Sequence, residues 1–221
     1  MEDNNVKENE KKESEISVVK ELFEYIKLVA IVVIAMIALQ KFVLINAQIP
    51  SESMENNVMA GDRIFGNRLA YINSDPKRFD VVIFKFPDDE SQYFIKRVIG
   101  LPGETVDVID GKVYINGSED PLDDTFCKET PRGIKDGHFE VPEGCYFMLG
   151  DNRNVSKDSR FWNNPYVAKE KILGEAVLRY WPITKISLIE KRSNRYGDLE
   201  FQRSSWFDAG GSDQQDNRTI P

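Results

Sequence analysis

A single apolar segment close to the amino terminus sets the first limit on the structure of this chain. Residues 28–39 are twelve consecutive apolar residues, in a chain of 221 residues of which 30% are charged. As a helix they span only about 18 Å, but residues 25–45 span about 31 Å, which is enough to cross the hydrocarbon core of a bilayer. The extension admits Lys27, Gln40 and Lys41, which lie near its ends and can reach the lipid–water boundary.

Three interpretations fit this segment: a buried helix of a soluble protein, a cleaved signal peptide, or a retained anchor. A signal peptide begins with a short, positively charged part, whereas residues 1–27 carry eight acidic residues and five lysines. We therefore favour a single-pass anchor in the cell membrane over residues 25–45, preceded by a charged cytoplasmic tail over residues 1–24. More lysines precede the anchor than follow it closely, which favours an extracytoplasmic main domain.

The chain after the anchor has the pattern of short β-strands rich in Val, Ile, Phe and Tyr, bounded by Gly, Pro or Asp. The predicted strands are 63–69, 80–86, 93–99, 106–109, 113–115, 146–149, 177–181 and 185–189. Asp110-Gly111 lies between two of them and predicts a tight hairpin, whereas residues 168–173 suggest one or two helical turns. We predict a mainly β domain of antiparallel sheets over residues 46–190, followed by a polar, disordered tail over residues 191–221.

Composition excludes several classes of function. The net charge is −8, which argues against a nucleic-acid partner because such proteins usually present a basic face. The one histidine, His138, excludes a histidine-rich metal site, and two cysteines are too few for a four-thiolate zinc site. We therefore expect neither a metal nor another cofactor.

Three polar stretches interrupt the strand pattern: residues 49–54, 93–103 and 150–160. In the second, Lys96 and Arg97 stand in an apolar strand, and because strand side chains alternate between faces, one of them is expected to point inward. Burial lowers the pKa of a lysine and can make it a base near neutral pH. The third stretch combines charged, amide and hydroxyl groups, which can orient one another by hydrogen bonds.

Each stretch has an ordinary explanation when it is taken alone. Ser-x-Ser sequences are common in loops, a Lys-Arg pair more often lies on a solvated edge, and Asp-Asn-Arg loops are usually turns. Their joint presence favours a serine nucleophile, which needs a base. His138 stands apart in a turn-like segment, so a buried lysine is the alternative base.

In order and approximate spacing, these stretches resemble the motifs of bacterial type I signal peptidases, which are membrane-anchored Ser-Lys endopeptidases. The matching sequences are Ser51-x-Ser53-Met54, residues 96–103, and residues 150–160, with a further strand motif over residues 78–85. The resemblance covers about residues 25–182. It implies an antiparallel β-sheet catalytic domain of the signal-peptidase type with one amino-terminal transmembrane helix.

The resemblance also implies roles for individual residues. Ser53 corresponds to the nucleophile and Lys96 to the general base. The hydroxyl of Ser51 and the backbone amide of Ser53 correspond to the oxyanion hole. A catalytic dyad of this kind needs no metal.

Five further residues match positions that support the base. Ser156 corresponds to a hydroxyl that hydrogen-bonds the base and orients it. Asp158 and Arg160 correspond to a salt bridge, and Asp151 to an acid near Arg97. All five lie in, or adjoin, the second and third polar stretches.

The substrates that the resemblance implies are preproteins emerging from the secretion machinery, cut after an Ala-X-Ala type sequence. Ile49 and Ile95 correspond to residues that line the substrate pockets, and membrane lipid is the other implied partner. The substrate strand would add to an exposed sheet edge. Residues 55–57 are Glu-Asn-Asn where the family commonly has x-Pro-Thr, and the short span between Gly103 and Asp151 leaves little room for a second β domain.

Three rival interpretations remain. A self-cleaving Ser-Lys regulator would need a target bond, and Ala60-Gly61 follows the serine too closely. A sortase-like transpeptidase would need a cysteine with a distant histidine, whereas His138 and Cys145 are close together. A membrane-tethered β domain without activity is the third.

Overall fold

The computed structural model describes residues 2–123, 126–127, 129–133 and 135–190. The predicted disordered tail over residues 191–221 lies outside the described residues. The described strands are β1 (Leu44–Gln48), β2 (Arg63–Asn67), β3 (Val81–Phe86), β4 (Asp89–Gly100), β5 (Thr105–Ile109), β6 (Lys112–Ile115), β7 (Gly137–Glu140), β8 (Cys145–Leu149), β9 (Tyr166–Ala168), β10 (Ile172–Trp181) and β11 (Ser187–Leu188). Short 3-10 turns cover Glu52–Met54, Lys169–Lys171 and Ile183–Lys185.

The amino-terminal helix α1, Glu2–Phe42, contains the apolar segment. Its part from Lys20 to Phe42 is long and apolar enough to cross a membrane, and none of it is buried in the protein. The large apolar side chains of this part are 42–66% exposed, so a helix packed in a soluble core is not what the structure contains. Exposed apolar surface of this extent is suited to a lipid environment.

The helix ends at Phe42, three residues before the predicted end of the anchor at Ile45. Ile45 instead belongs to β1, and its buried side chain packs in a core cluster with Ile64 and Ile83. An apolar run can continue a helix or begin a strand, and here pairing with β2 decides between them.

All strand pairs in the structure are antiparallel, which confirms the predicted mainly β fold. The larger sheet has the order β1-β2-β10-β3-β4-β8-β9, with β11 beside β10. The smaller sheet has the order β6-β5-β7. The hairpin predicted at Asp110-Gly111 is confirmed, because both residues have positive φ and connect β5 to β6.

Three strands were not expected from the sequence: β1, β7 and β9. The helical turns suggested for residues 168–173 reduce to the short 3-10 turn Lys169–Lys171, which leads directly into β10. Strand β7 carries His138, whose Nδ1 lies 2.6 Å from Oδ1 of Asp107 on β5. That carboxylate raises the pKa of His138. Both residues are in the smaller sheet and neither lines the cleft described below.

Strand β4 matters most for the site because its two faces pack against different core clusters. Ile95 packs with Val81 and Ile83 on one face. Phe94 and Val98 pack with a second cluster on the other face, and Lys96 lies between them in the strand. Strand β8 pairs with β4 only from Arg97 onward, so residues 93–96 pair with β3 alone among the described strands. Strand β4 therefore has a free edge beside Lys96.

Candidate active site

Ser53 and Lys96 meet directly, although 43 positions separate them in the sequence. Ser53 lies on the 3-10 turn Glu52–Met54, which follows β1, and fully buried Met54 fixes this turn to the core. The Lys96 side chain is 4% exposed. Its Nζ donates a hydrogen bond to Ser53 Oγ at 2.6 Å and another to the Ile95 carbonyl at 3.1 Å.

The surroundings of Lys96 make it a better base than an exposed lysine. Burial lowers the pKa of Lys96 to about 8, and the carboxylates of Asp158 and Asp151 act in the opposite direction. A pKa near 8 leaves on the order of a tenth of the lysine neutral at pH 7, against about 0.1% or less for an ordinary lysine. The inward lysine expected from strand alternation is present. Arg97 is buried as well, on the opposite face.

Ser51 lies at the mouth of the site. Its exposed hydroxyl oxygen is 3.3 Å from Ser53 Oγ, and both residues line the same cleft. A hydroxyl at this position can donate to an oxyanion that forms next to Ser53. The geometry is compatible with the predicted oxyanion role, which remains a prediction.

Ser156 is also brought to the site, but not with the predicted contact. Its side chain is 2% exposed, and its Oγ has no hydrogen-bond partner among the described residues. The hydrogen bond predicted between Ser156 and Lys96 is therefore absent, because the amine of Lys96 instead bonds Ser53 and the Ile95 carbonyl. The backbone of Ser156 is fixed by its N–H, which donates to the Asn152 carbonyl.

Two buried arginine–carboxylate pairs hold the loop of residues 150–160, and they join the residues for which the family resemblance implies such contacts. Arg97 donates from Nε and Nη2 to the two carboxylate oxygens of Asp151, at 2.7 and 2.6 Å. Arg160 donates in the same way to Asp158, at 2.8 and 2.9 Å. All four residues are at most 3% exposed. Paired, two-pronged contacts of this kind fix orientation as well as distance.

Sequence reasoning missed two residues of this loop, although it had singled out the stretch that contains them. The backbone N–H of Asn152 donates to the Ser53 carbonyl at 3.0 Å, and its side-chain amide donates to the Glu52 carbonyl at 3.2 Å. A Cβ at Gly150 would meet both the Ser53 carbonyl and Ser156 Oγ. The loop thus packs directly against the turn that carries Ser53.

The Glu-Asn-Asn sequence that departs from the family pattern has its own contacts. Asn56 adopts a positive φ of 99°, and its side-chain amide donates to the Phe126 carbonyl at 2.9 Å. The amide of Asn57 bonds both the N–H and the carbonyl of Glu190, at 3.2 and 3.4 Å. The loop after Met54 is therefore held from both sides without the usual proline and threonine.

A cleft of about 920 Å³ opens onto Ser53 and Lys96. Its wall includes Ile49 and Ile95, the two predicted pocket residues. Other apolar residues of the wall are Leu44, Ile45, Ala47, Pro50, Ile83, Phe94, Val155 and Leu173. Strands β1 and β4 are far apart in the strand order, yet both line this cleft, so the larger sheet must curve strongly. Among the described residues, no three His, Cys, Asp or Glu side chains are grouped as they would be around a metal ion.

Comparison with known proteins identifies the family. The family model described as signal peptidase, peptidase S26, matches residues 22–181. Signal peptidase I of Leptolyngbya laminosa is 38% identical over 172 residues, which cover 75% of this chain and 82% of that protein. Signal peptidase I of Pseudomonas fluorescens is 34% identical over 214 residues, covering 75% of each chain.

Similar proteins also occur outside bacteria and among solved structures. Thylakoidal processing peptidase 1 of Arabidopsis thaliana, a chloroplast protein, is 38% identical and covers 63% of this chain and 42% of its own. A solved signal peptidase I from Enterococcus faecalis is 35% identical, covers 46% of this chain and 97% of its own, and has a TM-score of 0.39. Because the family model matches residues 22–181 and these signal peptidases are 34% and 38% identical over 75% of the chain, this chain belongs to the signal peptidase family, peptidase S26.

Proposed function

We propose that this chain is a signal peptidase I, a serine endopeptidase that removes amino-terminal signal peptides with Ser53 as nucleophile and Lys96 as general base. The observation that carries the proposal is the 2.6 Å hydrogen bond between the buried Lys96 amine and Ser53 Oγ at the wall of an open cleft. Among the described residues, no other hydroxyl is hydrogen-bonded to a lysine amine. Family membership makes peptide-bond hydrolysis the reaction to test.

The reaction follows from this pair. Neutral Lys96 takes the proton of Ser53 as Oγ attacks the peptide carbonyl carbon, and the carbonyl π electrons move to its oxygen. The Ser51 hydroxyl and the Ser53 amide stabilise this oxyanion, each by about 3–4 kcal/mol of barrier. The Lys96 ammonium then protonates the leaving amine as the C–N bond breaks. Water, deprotonated by Lys96, hydrolyses the acyl-enzyme and restores Ser53.

The free edge of β4 supports the predicted mode of substrate binding. Backbone groups of residues 93–96 have a ladder partner on one side only among the described strands. An extended peptide can pair with this edge, and alternate side chains then enter the cleft between Ile49 and Ile95. The apolar wall gives small apolar side chains a binding site, and an Ala-X-Ala sequence before the cut meets that requirement.

We infer that α1 holds the cleft at the outer face of the cell membrane, with the amino terminus in the cytoplasm. Gln40, in the last turns of α1, and Arg68, directly after β2, both line the cleft that contains Ser53. One end of the cleft therefore lies at the end of the helix. A preprotein leaving the secretion machinery with its apolar segment still in the bilayer would present its following residues at that height.

Cleavage of a preprotein by the purified full-length protein in detergent tests the proposal. Ser53→Ala and Lys96→Arg are each expected to reduce the rate to less than a few per cent of the parent, because one removes the nucleophile and the other cannot act as a base near neutral pH. The matched controls are Lys112→Arg, in β6, and Ser118→Ala, in the loop after β6, and both should retain the parent rate. Mass spectrometry of the products locates the cut.

Retained cleavage in Ser53→Ala or Lys96→Arg would overturn the assignment of that residue. A parent protein that cuts only itself would favour the self-cleaving regulator, and a folded parent that cuts nothing would favour a β domain without activity. Cleavage that does not depend on the residues before the cut bond would overturn only the proposed Ala-X-Ala preference.

A further inference from the structure

Four aromatic side chains form a cluster on the face of the sheet that carries Lys96. They are Phe84 and Phe86 of β3, Phe94 of β4, and Trp162, which lies beyond the 150–160 loop. The centroid of the Trp162 ring lies 5.9, 5.4 and 6.0 Å from those of Phe84, Phe86 and Phe94. Phe86 and Phe94 stack at 4.4 Å with nearly parallel rings. Trp162 therefore covers both strands of the β3–β4 hairpin.

This cluster reaches the candidate base through one ring. Phe94 is two residues before Lys96 in β4, so both side chains share a face. The Lys96 Nζ lies 5.5 Å from the centroid of the Phe94 ring. The ring that Trp162 packs against is therefore part of the apolar surroundings of the amine.

Trp162 also touches the loop on the other side of the site. Its indole N–H donates to the Lys157 carbonyl at 3.3 Å. Lys157 lies between Ser156 and Asp158, which are among the buried residues of that loop. One side chain thus contacts both the strand that carries Lys96 and the loop that flanks it. Trp162 itself does not line the cleft.

We propose that Trp162 is a positioning residue of this site. It packs over Phe94 and links the aromatic cluster to the 150–160 loop. These contacts shield the Lys96 amine from water and hold it towards Ser53. The inference rests on the proposed function, because it concerns Lys96 as the base. Trp162 touches neither Lys96 nor the cleft, so its effect passes through Phe94 and Lys157.

The charged groups around Lys96 define what else can move its titration. Asp158 and Asp151 of the loop both favour the ammonium form. Each is paired with a buried arginine, Arg160 and Arg97 respectively. From β3, the residue opposite Lys96 is the apolar Val82. Loss of packing in the aromatic cluster would admit water, and water favours the charged amine. The pKa of Lys96 would therefore rise from about 8 towards its ordinary 10.5.

The test is the pH dependence of kcat, between about pH 6 and pH 10, for the full-length parent and three variants. Trp162→Leu removes the aromatic ring system and the N–H, whereas Trp162→Phe keeps one six-membered aromatic ring and loses the N–H with the rest of the indole. Phe139→Leu is the matched control, because it removes the ring pair between Phe139 of β7 and Phe147 of β8, neither of which lines the cleft. All rates are measured below the lowest Tm and divided by the concentration of titrated active sites.

We expect the acid limb of Trp162→Leu to move upward by on the order of one pH unit, with the rate partly recovered at high pH. Trp162→Phe should keep the limb closer to that of the parent. Phe139→Leu should lower the Tm without moving the limb. Should Trp162→Leu not fold, Trp162→Met serves in its place, because the unbranched Met side chain adapts more readily to an irregular gap.

Different failures have different meanings here. An unmoved limb in Trp162→Leu, or an equal shift in Phe139→Leu, overturns the positioning role while Lys96 remains the base. A parent that shows no acid limb near pH 8, or an active Lys96→Arg enzyme, overturns the proposed function itself.

Discussion

At the scale of single residues, the site contains a buried amine that destabilises the fold when charged but that the proposed reaction requires. Lys96 is a buried amine whose pKa falls because burial penalises its charged form. The inward direction of one residue of the Lys96-Arg97 pair could be predicted, because strand side chains alternate. The 2.6 Å contact with Ser53 could not, because it depends on how a turn after β1 is packed against a strand far along the chain.

Replacing Lys96 should therefore separate activity from stability. Lys96→Met is expected to abolish cleavage and to raise the free energy of unfolding at pH 7, because the buried ammonium is replaced by an apolar chain. The unfolded state binds more protons than the folded state between about pH 8 and pH 10.5, so the parent gains stability as pH rises through this window. The advantage of Lys96→Met should shrink over the same window.

Urea unfolding at several pH values measures this effect. Lys112→Met, at an exposed position of β6, is the control and should change the free energy of unfolding by less than about 0.5 kcal/mol. A Lys96→Met protein that is less stable than the parent at pH 7 would contradict the expectation.

Replacing Ser156 should also separate activity from stability, with smaller effects than replacing Lys96. Its buried hydroxyl has no hydrogen-bond partner among the described residues, so Ser156→Ala removes an unsatisfied group rather than a bond. We expect the Tm to stay the same or rise, while kcat falls if the hydroxyl orients Lys96 during the reaction. Differential scanning calorimetry and preprotein cleavage on the same samples check both parts, and a fall in Tm of several degrees would show that the hydroxyl is bonded in solution.

At the scale of elements, strand β4 and the 150–160 loop form the frame of the site. Both were singled out in the sequence because polar residues interrupted an apolar pattern. Strand β1 was not, because its apolar residues continued the anchor pattern, and only pairing with β2 makes it a strand. Strand β7 was missed for a different reason: Gly137-His138-Phe139-Glu140 has one large apolar side chain, and its pairing with β5 fixes it.

The buried pair between Arg97 and Asp151 joins these two elements, and its loss should be severe. Arg97→Met is expected to reduce the free energy of unfolding by about 3–5 kcal/mol, because it leaves the Asp151 carboxylate buried without its partner. The double variant Arg97→Met/Asp151→Leu should recover much of that loss. Denaturant unfolding of both proteins measures it.

The control for this prediction is a surface pair of the same charge type. Lys171 and Glu90 are partly exposed, so Glu90→Gln should change the free energy of unfolding far less than Arg97→Met does. A double variant as unstable as Arg97→Met alone would mean that the pair supports the fold through its shape rather than its charge balance.

At the scale of the whole molecule, the class of fold was predictable and the strand order was not. Short apolar segments with turn residues indicated antiparallel sheets, and the long apolar segment indicated an anchor. The order required contacts that no local pattern contains: β10 lies between β2 and β3, although it follows both by roughly a hundred residues. The same is true of the curvature that brings β1 and β4 to one cleft.

The contacts of the last described residues predict how much of the carboxyl-terminal segment can be removed. The backbone of Glu190 bonds Asn57 and Arg97, and Ile189 is buried in the core cluster that contains Met54 of the turn carrying Ser53. Removal of residues 196–221 is expected to leave folding and cleavage nearly unchanged. Removal of residues 187–221 should lower the Tm and the cleavage rate, because it deletes β11 and these contacts. Thermal unfolding and cleavage of both truncated proteins check this, and equal behaviour of the two would contradict it.

Only Val43 separates α1 from β1, and it is held at both sides. Its N–H donates to the Leu39 carbonyl at 3.0 Å, and its carbonyl accepts from the Arg68 N–H at 2.8 Å. If α1 is the membrane anchor, as proposed, this junction leaves no flexible linker, and Ser53 stays at a fixed height above the lipid. The position of the cut would then depend on its distance from the end of the preprotein's apolar segment as well as on the side chains near the bond. Insertion of a flexible glycine-serine linker after Val43 should weaken this dependence on distance, and cleavage should spread from one bond to neighbouring bonds.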